Sequence, residues 1–367
     1  MWKKLRTIFI IVLNTALLFG VLELGVRFFA PSKVSTTYLE GGPLGQEDAV
    51  LGHKNNPNTL ARVTAPEFEV EYYIDADGFR GRPGAEARAL DPEAKTVLLI
   101  GDSFTFGATN DYDDIWPKLL ADRFAQEQRS VNIVNAGVPG YNTAQQALYL
   151  ERLYEDCKPD IVVVMFLPND LFANEPIRTV EGTDVAVSDA AAVIKAGPGK
   201  RSTLESVDFI KRMMMQNDAM YASLYLMTPR REFFEKPFSD LVQSKVDVTK
   251  DLLARMGNFA TKKDFDLVFI SVPQAFQVLY KASGQERDSV DASMPDTVFG
   301  PFAADHNIQW VGTLDPLVEA YAADGEKLYY RYDGHFNPKG NRVVTDVIYE
   351  ALLPALSKGS PEAQPGL

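Results

Sequence analysis

The longest uninterrupted apolar stretch opens the chain. From Thr7 to Leu22 no residue is charged. Adding Glu23 to Phe29 gives a predicted helix of about 23 residues, long enough to cross the hydrocarbon of a bilayer with some tilt. Glu23 and Arg27 stand four apart, so they are expected to pair on one helical face near the outer interface. Residues 30–94 read as an extended, loop-rich lead-in punctuated by Pro31, Gly41, Gly42, Pro43, Pro57 and Pro66. Within it, alternation from Phe68 to Ile74 predicts a strand, and Asp75-Ala76-Asp77-Gly78 a turn.

The pattern changes at Lys95. Thr96-Val97-Leu98-Leu99-Ile100 is a short apolar run, as a parallel strand buried on both faces would be. Further strands are expected at Val131–Val134, Ile161–Phe166, Leu267–Val272 and Ile308–Val311. Between them helical spacing predicts helices over Ile115–Gln126, about Ala144–Asp156, near 247–260, near 292–304 and from Pro338 to about Leu356. This alternation implies an α/β fold: a parallel sheet covered on both faces, over residues 95–356. Residues 171–246 interrupt the rhythm. Val180 to Arg201 reads as a loop, and Leu204 to Phe234 as helical and Met-rich. That insert is either a helical layer packed on the domain or a lid or docking surface, since Met adapts to varied partners. The tail, 357–367, carries two Pro and two Gly and is expected to be disordered.

Charge adds direction. Lys3, Lys4 and Arg6 precede the apolar run, so the amino terminus should stay in the cytoplasm and the rest lie extracytoplasmically. An uncleaved single-pass signal-anchor over residues 1–29 is expected rather than a cleaved signal, because Val26-Arg27-Phe28-Phe29 supplies no small-x-small cleavage site. A net charge of -13 argues against a nucleic-acid partner, which would require a basic face. The single Cys157 cannot form an internal disulfide and fits either redox compartment.

Ligands of open α/β sheets bind beyond the carboxyl ends of the strands. There the sequence delivers Gly101-Asp102-Ser103 after the first strand, Asn135-Ala136-Gly137-Val138-Pro139-Gly140 after the second and Leu167-Pro168-Asn169-Asp170 after the third. Asp333-Gly334-His335 precedes the last helix. A serine nucleophile needs a base, the base an acceptor that fixes its tautomer, and the tetrahedral oxyanion two or three donors. Ser103, His335 and Asp333 suit the first three roles, and the Ser103 N–H, Gly140 N–H and Asn169 amide the last. The other histidines, His53 and His306, read as a surface residue and a linker residue. Asp102 reads as a turn or cap residue and Asp170 as a brace for the Asn169 loop. No spacing suggests a metal site, and the glycines from Gly101 to Gly107 lack the Lys-Ser/Thr of a phosphate loop, so no cofactor is expected.

These four blocks, in this order, resemble the SGNH hydrolases, also called the GDSL lipase/esterase family, over about residues 95–356. The resemblance implies a flavodoxin-like three-layer α/β/α domain and metal-free serine ester chemistry. It assigns Ser103 as nucleophile and first oxyanion donor, Gly140 and Asn169 as the other donors, His335 as base and Asp333 as its partner. Two departures stand out. Leu167 replaces the usual Gly of the third block, and Asp333-Gly334-His335 is one residue shorter than the common Asp-x-x-His. The shorter form is similar to that of membrane-associated SGNH proteins that move acetyl groups on exported polysaccharides. The expected function is therefore a serine esterase or O-acyltransferase acting on O-acetyl esters of extracytoplasmic glycans, with a membrane-bound acyl donor protein as a partner by analogy. The alternatives are a non-catalytic glycan-binding or assembly factor and an interfacial lysophospholipase.

Overall fold

The computed structural model describes residues 2–29, 38–82, 90–186, 204–284 and 287–358. The expected disordered tail lies outside these residues beyond Lys358, as does most of the Val180–Arg201 loop.

The core is a five-stranded parallel sheet built from β7 (Lys95–Gly101), β8 (Val131–Gly137), β9 (Ile161–Phe166), β12 (Asp266–Ser271) and β13 (Ile308–Gly312). Its order is β13-β12-β9-β7-β8, the flavodoxin-like doubly wound arrangement in which strand order reverses beside β7. The class and topology agree with the pattern of apolar runs. Successive side chains of a strand point to opposite faces, and both faces are buried here. Leu98 and Ile100 face one layer, with Val162, Val164 and Phe166 of β9, against helices α4 (Thr143–Cys157) and α8 (Asp240–Lys263). Val97 and Leu99 face the other, with Val163 and Met165, against α3 (Trp116–Gln126) and α12 (Pro338–Ser357). The six residues of β9 are all buried. Each such aliphatic side chain contributes about 1.5–3 kcal/mol, which is why these strands read as continuous apolar runs.

The lead-in is more ordered than its Pro and Gly content suggests. Strands β1 (Tyr38–Gly41), β4 (Thr59–Thr64), β5 (Glu69–Ile74) and β6 (Arg80–Gly81) form an antiparallel sheet, and β2 (Gly45–Asp48) pairs with β3 (Gly52–Asn55) as a hairpin. Val63, Val70, Tyr72 and Ile74 pack on Phe106 of the main domain, so the sheet buries one face there and leaves the other polar. Asp75 accepts from the N–H of Asp77, Gly78 and Phe79, forming the expected turn.

Helix α1 (Trp2–Phe29) carries the apolar run. Its best 18-residue window has a mean hydropathy of 2.2 and none of that window is buried, so it is long and apolar enough to cross a membrane. Arg27 Nε donates to Glu23 at 2.6 Å, the expected pair. In the insert, β10 (Arg178–Val180) and β11 (Thr183–Val185) make a hairpin where a loop is expected. The Met-rich segment divides into α6 (Glu205–Gln216) and α7 (Asp218–Tyr225), because Asn217 ends one helix and caps the next through the Met220 N–H.

Candidate active site

Strand β7 ends at Gly101, Asp102 follows, and Ser103 opens the one-turn helix α2 (Ser103–Phe106). The Asp102 side chain caps that turn by accepting from the Phe104 N–H at 2.9 Å. The turn lies so close to β8 that a Cβ on Gly137 would come within 2.3 Å of the Phe106 nitrogen. Only glycine permits this approach.

His335 arrives from the loop before α12. Its Nε2 lies 2.6 Å from Ser103 Oγ and its Nδ1 2.5 Å from Asp333 Oδ1. The short Asp333-Gly334-His335 spacing is closed by Gly334, whose φ of +91° is left-handed and turns the Asp333 carboxylate back onto the imidazole. The Gly334 N–H donates to the Tyr330 carbonyl, and the Tyr330 N–H to that of His335, both at 2.9 Å. Phe104 packs against the imidazole with ring centroids 4.6 Å apart. Burial pulls the His335 pKa down, but the bond to Asp333 and the charges of Asp333 and Asp102 outweigh it, and the net shift is upward. For Asp333, burial pushes up and the hydrogen bond and charge of His335 outweigh it, leaving the carboxyl below its ordinary range.

Asn169 stands in α5 (Pro168–Ala173), at the carboxyl end of β9. Its amide donates to Asp102 Oδ2 at 3.2 Å, so it joins the site through the residue that caps Ser103. Gly140 follows β8 at a φ of +85°. The Val138 N–H donates to the Gly101 carbonyl at 3.0 Å, holding the Gly140 loop beside the Ser103 turn. Asp170 braces the Asn169 loop, as expected, by accepting from the Leu167 N–H at 3.4 Å and from Gln146 at 3.3 Å. Burial raises its pKa well above the ordinary value, and the nearby Asp102 charge adds to this. Asp102 is itself raised, by burial.

Three residues of the lead-in, none of them expected at the site from the sequence, hold these loops. Arg80 is fully enclosed and donates to the carbonyls of Phe106 at 2.9 Å, Asn110 at 2.6 Å and Gly107. It thereby fixes the end of the Ser103 turn, and burial lowers its pKa to about 10. Glu67 accepts from the backbone N–H of Arg331, Tyr332 and Asp333 at 2.8, 2.8 and 3.0 Å. His53, expected at the surface, is instead 3% exposed and donates to the Pro139 carbonyl at 2.9 Å, next to Gly140. Its local sequence, Gly-His-Lys, hides a partner 86 residues away. His306 does lie at a helix end, with Nδ1 2.8 Å from the Phe302 carbonyl.

The fold and this geometry define a doubly wound α/β domain with a hydrogen-bonded Ser-His-Asp chain at the carboxyl ends of its central strands. Residues 99–230 match the sequence model of the GDSL-like lipase/acylhydrolase family. It is 34% identical over 77 residues to esterase TesA of Pseudomonas aeruginosa, covering 21% of this chain and 38% of that protein. It is 25% identical over 92 residues to an arylesterase of Vibrio mimicus, covering 25% of this chain and 46% of that one. The chain thus matches less than half the length of either curated relative. A solved structure of TesA superposes with a TM-score of 0.41 at 16% identity, covering 71% of this chain and 99% of that one.

Proposed function

We propose that this chain is a serine esterase or O-acyltransferase acting on O-acetyl esters of extracytoplasmic glycans, held at the membrane by α1. The observation that carries the chemistry is the continuous run from Ser103 Oγ to His335 to Asp333. His335 Nε2 takes the Ser103 hydroxyl proton as Oγ attacks the acyl carbon. Asp333 stabilises the imidazolium that results. The Ser103 and Gly140 N–H groups and the Asn169 amide stabilise the tetrahedral oxyanion, with Asp102 orienting that amide. His335 then returns its proton to the departing alkoxide, leaving the acyl group on Ser103. Attack by water, deprotonated by His335, gives the free acid; attack by a sugar hydroxyl gives a new ester.

The apolar run of α1 after Lys3, Lys4 and Arg6 supports an anchor with the domain outside the cytoplasm, where envelope glycans lie. The short Asp333-Gly334-His335 block supports acetyl chemistry on exported polysaccharide. The test is release of p-nitrophenol from p-nitrophenyl acetate by the full chain in detergent, repeated with a sugar oligomer and product masses recorded. Turnover should fall by about 10⁴-fold or more in Ser103→Ala and His335→Ala. Acetylated sugar in the wild type identifies a transferase. Wild-type protein that is folded yet neither turns over ester nor reacts with a fluorophosphonate overturns the reading.

A further inference from the structure

The Met-rich insert takes no part in the reaction above, yet it is joined to both α1 and the site. At its start, the Glu23 carboxylate of α1 accepts from the backbone N–H of Glu205 at 3.0 Å and of Ser206 at 2.8 Å, and from the Ser206 hydroxyl at 2.6 Å. The first amides of a helix have no acceptor within it. Leu204, at the N-cap position of α6, has no side-chain oxygen to offer, so a carboxylate from another helix does the capping.

The level of this contact matters. Glu23 directly follows the uncharged stretch Thr7–Leu22, which rises roughly 24 Å as a helix. If α1 spans a bilayer, whose hydrocarbon is about 30 Å thick, Glu23 stands near the edge of that hydrocarbon. The amino end of α6 is therefore held at the interface between lipid tails and headgroups. Along α6, Val207, Ile210 and Met213 are 41%, 40% and 62% exposed, three residues apart on one side, and Met220 of α7 is 45% exposed. Leu204 and Met227 of the insert are exposed as well, whereas Ala222 and Phe234 are buried.

We propose that the Val207–Ile210–Met213 side of α6 lies on the phospholipid bilayer that α1 crosses. The partner is the lipid surface itself, and the proposal rests on the membrane reading of α1. Continuity carries it: an exposed apolar stripe begins where an apolar membrane helix ends, and a half-buried carboxylate joins the two. Glu205 and Asp208 balance Lys211 and Arg212 in the α6 sequence, so apolar burial rather than charge drives the contact. Neutral lipid therefore suffices. At its other end α6 bonds the loop that carries Asp333 and His335. Gln216 donates to the Tyr332 hydroxyl at 2.6 Å and accepts from Lys327 at 2.7 Å, and Asp218 pairs with Arg331. The 12 residues of α6, roughly 18 Å of helix, thereby span from the point where α1 leaves the bilayer to the loop that carries Asp333 and His335. This suits an ester borne by a membrane-attached molecule.

The test uses the full chain in phosphatidylcholine nanodiscs, with Cys157→Ser and one new cysteine carrying an environment-sensitive fluorophore. Labels go to Val21→Cys within α1, Met213→Cys on α6 and Glu93→Cys at the opposite end of the sheet. Quenching by a phosphatidylcholine spin-labelled high on its acyl chain is recorded for each. The proposal expects Met213 to be quenched several-fold more than Glu93, with blue-shifted emission. Val21 quenched while Met213 behaves like Glu93 overturns the proposal and leaves the anchor intact. Val21 unquenched overturns the anchor and the proposal together.

Discussion

Glu67 and Asp333 are joined across 266 residues: the Glu67 carboxylate accepts the Asp333 N–H at 3.0 Å, with those of Arg331 and Tyr332 at 2.8 Å. One lead-in carboxylate thus fixes the start of the turn that aims Asp333 at His335, without touching the reacting atoms. Glu67→Gln replaces one accepting oxygen by a donor facing the same N–H groups and should let the turn drift. A displacement of this kind lowers kcat by about 10- to 100-fold with KM little changed. Steady-state kinetics on p-nitrophenyl acetate, beside an unaltered far-ultraviolet spectrum, check this. An unchanged kcat removes the positioning role from Glu67.

That contact also explains where sequence reasoning ran out. Strands β7 and β9 were legible because burial on both faces makes them uniformly apolar over a few consecutive residues. Asp333-Gly334-His335 was legible because its geometry is local to three residues. The lead-in hairpin was not, because its β2 is Gly-Gln-Glu-Asp and its β3 Gly-His-Lys-Asn, with no apolar alternation to mark them. The contacts that bury them come from distant parts of the chain, as His53 with Pro139 shows. Arg80 reads as one more charged residue between Phe79 and Gly81, and only the fold brings it beneath three carbonyls.

The pH dependence should follow His335. Its pKa is raised above the ordinary 6.5, so its folded-state pairing with Asp333 stabilises the protein below 6.5 and is lost as pH rises through the raised value. Activity runs the other way, because only the neutral imidazole can take the Ser103 proton. The acid limb of kcat/KM is therefore expected above 6.5. In Asp333→Asn the burial that lowers the pKa persists while the opposing carboxylate charge is gone. The limb should move to lower pH and the plateau should drop by up to roughly 10⁴-fold. A limb that stays in place in the variant would mean Asp333 does not act on His335.

Arg80 predicts a joint loss of stability and activity. Its guanidinium lies 4.8 Å over the Tyr72 ring and satisfies the carbonyls of Phe106, Gly107 and Asn110. Arg80→Met fills similar space but strands those acceptors, at a cost of about 2–4 kcal/mol. Arg80→Lys restores the charge without the planar fork and should recover only part of it. Urea unfolding midpoints for the three proteins, with kcat measured well below each midpoint, separate the effects. Both variants should also turn over ester more slowly, because the end of the Ser103 turn is no longer fixed. Wild-type stability in Arg80→Met would show that water replaces the guanidinium without penalty.

The last prediction concerns how Asn169, proposed as the third oxyanion donor, is aimed. Asp102 serves two partners at once, accepting the Phe104 N–H through Oδ1 at 2.9 Å and the Asn169 amide through Oδ2 at 3.2 Å. Asp102→Asn can keep the first bond, so the Ser103 turn stays capped, but it opposes the Asn169 amide with an amide of its own. Asn169 must then rotate to offer its oxygen, and its N–H groups leave the direction set for the oxyanion. Loss of one such donor lowers kcat by about 10²–10³-fold. Asn169→Ala removes the donor outright, so the double variant should be scarcely slower than either single one. That non-additivity is the signature of two residues acting through one bond. Multiplicative losses would instead assign Asp102 a separate task, such as the charge it places near His335, and an acid limb moved to lower pH in Asp102→Asn would identify it.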